Sequence, residues 1–169
     1  MRWERPARWV RGTLALSGPE RRVLLTAVAL NPALRLMLRR RGTSAATAWV
    51  LRHSEAGLAD HPVELTPAVI TEAKGVGALV NRAAAQPAPA VTCLTRSLTA
   101  QYLLRRRGIR AELRIGVRPN DDPVVSGRAE PMLFHAWVEV GDVVINDVLD
   151  VGTTFATFPV GAEQLAGFR

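Results

Sequence analysis

The chain has 169 residues, 48% of them hydrophobic and 22% charged, and a formal net charge of +7. That length supports a real core, because such a chain buries roughly 70% of the surface its unfolded form exposes, and the composition excludes disorder of the whole chain. Its one cysteine excludes an internal disulfide framework or a cysteine-based zinc cluster and fits a reducing compartment.

Residues 1–42 hold ten arginines and two glutamates, a balance of +8, and the rest of the chain balances at −1. The plain reading is a solvated helix flanked by arginines. The other is a basic arm for nucleic acid, anionic lipid or an acidic partner. Residues 1–16 set Trp3 and Trp9 among the arginines, as in a short amphipathic arm. Ser17 and Glu20 have the spacing of a capping box, which predicts a helix over 19–41, bent or split at Pro32 and ended by Gly42. Its apolar stretch, 23–38, is interrupted by Asn31, Pro32 and Arg35 and falls short of the about 20 apolar residues that span a bilayer. It also lies too far into the chain for a signal peptide, so no transmembrane segment is expected and the location reads as cytoplasmic.

Helical spacing recurs over 47–56 and 67–85. The run QPAPA at 86–90 then marks a boundary. Residues 1–88 read as a helical region and 89–169 as a second unit. A helix is predicted over 91–107, with Gly108 behind it. The period then falls to two: Ile109, Ala111, Leu113, Ile115 and Val117 share one face of a strand. Residues 118–130 form a polar loop. Strands at 133–140 and 143–150 make a hairpin about Gly141-Asp142, and a short strand or irregular tail follows.

Cys93 falls in the first turn of the predicted helix, where unpaired N–H groups and the helix dipole favour a thiolate. A lone cysteine is otherwise most often a small buried apolar side chain. His135 lies in a strand, where a histidine is more often structural than catalytic. Asp147 lies among Val, Ile and Leu, where acidic residues are depleted, unless it marks a strand end. The hairpin register relates the two. A two-residue turn sets His135 opposite Val148. A three-residue loop sets it opposite Asp147, on one face with Trp137, Val143 and Ile145. His53, His61 and His135 are too dispersed for a short metal motif.

Five segments carry a resemblance: Cys93-Leu94-Thr95-Arg96-Ser97-Leu98, Leu103-Leu104-Arg105-Arg106-Arg107-Gly108-Ile109, Leu113-Arg114-Ile115-Gly116-Val117, His135-Ala136-Trp137-Val138-Glu139-Val140 and Ile145-Asn146-Asp147. Together they resemble the transglutaminase-like cysteine proteases of lasso peptide biosynthesis, over about residues 91–150. The resemblance implies an α+β fold, with the N-terminal helices packed on a papain-like core of one nucleophile-bearing helix and an antiparallel sheet. It implies removal of the leader peptide from a ribosomally made precursor, with Cys93 as nucleophile, His135 as base and Asp147 orienting it, and with no cofactor or metal. Trp137, Arg96 and Ser97 are expected to support the site or touch substrate, and the 118–130 loop looks like an insertion. The implied partners are the precursor leader peptide, a separate leader-recognition protein and an asparagine-synthetase-like lasso cyclase. Residues 1–88 show no strand pattern for a fused recognition domain, so a stand-alone protease of a split system is expected.

The same triad would serve an acyltransferase, and the same core a non-enzymatic binding module. A nucleic-acid binder lacks support: there is no helix-turn-helix, aromatic platform or Gly-rich phosphate loop, so no specific nucleic-acid partner is expected.

Overall fold

The computed structural model describes residues 12–59, 63–85, 91–119, 132–147 and 150–158. The Trp3 and Trp9 arm, the QPAPA linker, most of the 118–130 loop and the tail beyond residue 158 lie outside the described residues.

The first long helix, α1 (Gly18–Ser54), starts at the capping box that the sequence anticipates: the Ser17 N–H donates to the Glu20 carboxylate at 2.9 Å, and Ser17 Oγ accepts from the Glu20 N–H. The expected bend at Pro32 is not where the helix breaks. The non-helical residue is Gly42, at φ +79°, which divides α1 into two helical segments. Proline's fixed φ fits a helix and forfeits one hydrogen bond, and at this turn buried Asn31 accepts the Thr99 hydroxyl at 2.8 Å. A positive φ, by contrast, turns the chain out of the helix. A short helix, α2 (Ala56–Ala59), follows, then α3 (Pro67–Ala84), capped by Thr66. The helix α4 (Cys93–Arg105) is capped by Thr92, whose hydroxyl accepts the Thr95 N–H at 3.3 Å. It is buried on most sides, packed between α1 and α3 and against the sheet. Among the described residues, no helix is long and apolar enough to cross a membrane.

Four antiparallel strands form the sheet: β1 (Glu112–Pro119), β2 (Met132–Val140), β3 (Val143–Val144) and β4 (Ala156–Phe158), in the order β3-β2-β1-β4. A single helical turn, α5 (Val151–Thr154), precedes β4. The first strand begins at Glu112, three residues after Ile109, although Ile109 and Ala111 are buried as the alternation requires. Side chains alternate between faces. Leu113, Ile115, Ala136, Val138 and Val140 face the helices and join two clusters with Leu24, Leu34, Val50, Val80, Leu98 and Leu104. Trp137 points to the opposite face, with Val144, Val151 and Phe155.

The return strand is far shorter than 143–150. Val140 pairs with Val143 and Glu139 with Val144, about a two-residue turn with Gly141 at φ +59°. The three-residue alternative is thereby excluded. Val143 and Ile145 lie on the face opposite Trp137, in the helix-side cluster. The Ile145 N–H still donates to the Val138 carbonyl at 2.9 Å. The Val138 N–H, however, bonds the side-chain Oδ1 of Asn146 at 2.8 Å. There the chain leaves the ladder. It passes close to α3 at Gly77, where a Cβ would lie 2.5 Å from the Ile145 carbonyl oxygen.

Candidate active site

Beyond Val144 no strand among the described residues lies beside the β3 edge of β2, and helix α4 packs there. The main-chain groups of Ala136 point to that edge. Its carbonyl accepts the Ser97 hydroxyl at 2.9 Å, and its N–H hydrogen-bonds the Cys93 sulfur. The first turn of α4 is therefore sealed onto the strand that carries His135. Cys93 is half-buried there, at the first helical position.

The neighbouring residue on β2, His135, hydrogen-bonds Cys93 and, through Nε2, Asp147 Oδ2 at 2.7 Å. The carboxylate thus occupies Nε2 and leaves Nδ1 for the thiol. Asp147 reaches the imidazole from the bend after Ile145, not from a facing strand position. Arg96 Nη2 meets the same Oδ2 at 3.0 Å. The Arg96 and Asp147 side chains are 27% and 14% exposed, so this ion pair is only partly screened by water.

The imidazole rests against aromatic rings. Its centroid is 5.2 Å from Phe155 and 6.2 Å from Trp137. The Arg118 guanidinium lies 5.3 Å from the Phe155 centroid. Trp137 is fully buried, and its indole N–H donates to Glu139 Oε1 at 2.8 Å, while Arg114 holds Glu139 Oε2 at 2.7 Å. Opposite His135 on β1 stands Gly116. A Cβ there would lie 2.7 Å from Phe155 Cβ and 2.9 Å from Trp137 Cη2, so glycine is what admits both rings.

The electrostatics favour a charged pair. Burial pushes the Cys93 thiol up, but the His135 hydrogen bond, the Ala136 N–H, the imidazolium charge and the Leu94 N–H together hold it below the ordinary thiol range. The hydrogen bond with Cys93 raises His135. Burial opposes it, and the hydrogen bond and charge of Asp147 reinforce it. Both shifts favour thiolate and imidazolium over the neutral pair, and the two groups titrate as a unit. Such an arrangement supplies a nucleophile and a proton donor side by side.

All six residues singled out in the sequence come to this region. Cys93, His135 and Asp147 form one hydrogen-bonded row. Arg96 grips the Asp147 carboxylate, Ser97 ties α4 to β2, and Trp137 lies under the imidazole as core. Sequence reasoning passed over Asn146, Gly77, Gly116 and Phe155. Gly116 carried a signal, since an isolated glycine within an alternating strand marks a close approach. Among the described residues, no group of three or more His, Cys, Asp and Glu side chains is placed to hold a metal ion.

A family model described as the transglutaminase-like superfamily matches residues 36–159. The microcin J25-processing protein McjB of Escherichia coli is 44% identical over 55 residues, a stretch covering 32% of this chain and 22% of that protein. No solved structure matches significantly.

Proposed function

The chain belongs to the transglutaminase-like superfamily, and from that premise we propose that it is a cysteine peptidase that releases the leader from a lasso peptide precursor. The observation that carries the chemistry is the row from Cys93 through His135 to Asp147, with Nε2 to Oδ2 at 2.7 Å. The similarity to a microcin-processing protein supports the substrate class.

The Cys93 thiolate attacks the scissile carbonyl, and the tetrahedral oxyanion forms beside the start of α4. The Cys93 N–H at the helix N-terminus is the donor closest to hand. His135, protonated in the pair, gives its proton to the leaving amine as the C–N bond breaks. Neutral imidazole then removes a proton from water, which attacks the thioester and returns the thiolate with the imidazolium. Asp147 holds Nε2, keeping the proton-transfer nitrogen aimed at Cys93. Arg96 fixes the carboxylate that does so.

The test is incubation of the full chain with lasso peptide precursors, with and without a leader-recognition protein, followed by mass spectrometry. The expected result is one cut, stimulated by the recognition protein and lost in Cys93→Ala. In ¹⁸O-labelled water the new leader carboxylate should carry the label. Cutting that persists in Cys93→Ala overturns the reading. An amine adduct in place of the labelled carboxylate assigns the chain to acyl transfer.

A further inference from the structure

Asn146 is 1% exposed, and both ends of its carboxamide are engaged. Oδ1 accepts the Val138 N–H at 2.8 Å, and Nδ2 donates to Ser97 Oγ at 3.0 Å. Its main-chain carbonyl accepts Asn81 Nδ2 at 3.1 Å. Ser97 in turn donates to the Ala136 carbonyl. One side chain therefore joins the strand of His135, the helix of Cys93 and the bend of Asp147.

The hairpin register shows why such a joint is needed. Continued past Val144, the observed pairing would set Asp147 across from Ala136. Its side chain would then face the helices, on the opposite side of the sheet from His135. The chain has to leave the ladder for the carboxylate to reach Nε2. It does so where the Asn146 side chain takes the main-chain acceptor's place at Val138.

We propose that Asn146 is a positioning residue, whose carboxamide sets Asp147 on His135 Nε2 and so acts on Cys93 only through those two residues. The proposal rests on the catalytic reading of Cys93, His135 and Asp147. The groups facing His135 are Cys93 from α4, Asp147 from the bend, Trp137 from β2 and Phe155 from the segment before β4. Arg96 lies beyond Asp147 and Arg118 beyond Phe155, and all of these except Asp147 stay constant across the test.

The chain has one cysteine, so iodoacetamide alkylation reports on Cys93 alone. Its rate is measured against pH for wild type, Asn146→Ala, Asp147→Ala and the double variant, with circular dichroism confirming the fold. The expected loss at pH 6 is about tenfold for Asn146→Ala, within the range a small misplacement produces. In the Asp147→Ala background the same substitution should change the rate by less than about twofold, because its route is already cut. An equal fold-loss in both backgrounds overturns the proposal and leaves Asn146 a stability residue. If Asn146→Ala does not fold, Asn146→Ser, which leaves a shorter polar side chain at the same place, carries the same test, with about threefold loss expected in wild type and less than about twofold beyond it in Asp147→Ala. A wild-type profile that does not move in His135→Ala overturns the catalytic reading itself. A wild-type profile that moves in His135→Ala and is matched by Asn146→Ala overturns the positioning role alone.

Discussion

The two halves of β2 obey different rules. From Val138 to Val140 the strand lies between β1 and the return strand β3, and its side chains interlock with the helices. From Ala136 back toward Met132, β1 still pairs on one side, but the edge that β3 has left is met at Ala136 by Ser97 and Cys93 of α4. The first half builds stability through a repeating register. The second gives up that repeat, and in exchange a helix N-terminus, a histidine and a carboxylate meet at one place. A ladder spaces side chains at fixed intervals on fixed faces. Three residues from three elements converge only where it stops.

Substitutions in the two halves should therefore fail differently. Cys93→Ala and His135→Ala are expected to lower precursor cleavage by at least about a thousandfold with little loss of stability. Val140→Ala, at 1% exposure in the laddered half, should cost about 2 kcal/mol of stability and leave the cleavage rate per folded molecule unchanged. Chemical denaturation with parallel cleavage assays separates the two. The comparison breaks if Val140→Ala slows cleavage as severely as His135→Ala.

Gly77→Ala should show both kinds of loss. The new Cβ, 2.5 Å from the Ile145 carbonyl oxygen, must push back the bend that carries Asp147. The expected cost is about 1–3 kcal/mol together with slower cleavage. Gly116→Ala, which crowds Phe155 and Trp137, should be destabilising on the same scale. A melting temperature unchanged in either variant would show that the neighbours yield freely.

The pH dependence sharpens the electrostatic side. Alkylation needs thiolate, so its rate in wild type should rise below the ordinary thiol range, where the His135 pairing holds Cys93. In His135→Ala the hydrogen bond and the positive charge are gone and burial remains, so the transition should move up. The two N–H donors, Ala136 and Leu94, only limit that rise. A transition that moves down would contradict the assigned causes. The smallest effect belongs farthest from the site. Ser17→Ala removes the cap of α1 and should cost about 1 kcal/mol, with an alkylation profile that overlays wild type.

Local chemistry made much of the fold legible. The Ser17–Glu20 box, the Gly42 break and the change from helical to alternating period near Gly108 are each decided within a few residues of chain. Helix or strand follows from such spacing with no knowledge of neighbours. The chain does not split at Pro32, where it stays helical, because proline's missing hydrogen bond is a local cost that packing against α4 can override. The end of β3 was misjudged for the same kind of reason. Residues 145–150 have a strand-like composition, and nothing in it says that Asn146 will place its side chain in the ladder.

What the sequence determined by itself is the inventory: a cysteine at a helix start, a histidine in a strand, an aspartate soon after the hairpin turn that it placed in the return strand, and a motif order that points to one superfamily. What the tertiary structure decided is how these residues meet. Spacing left two hairpin registers open, and the two-residue turn that forms is the one whose register, had it continued, would not pair His135 with Asp147. The Asp147 contact depends on Asn146 bonding Val138 and Ser97, on the bend passing α3 at Gly77 and on Arg96 reaching over from α4. The partners in those contacts come from as far as 68 positions along the chain. Hydrogen bonds and excluded volume between such residues act only once the elements are packed, so no local pattern carries them.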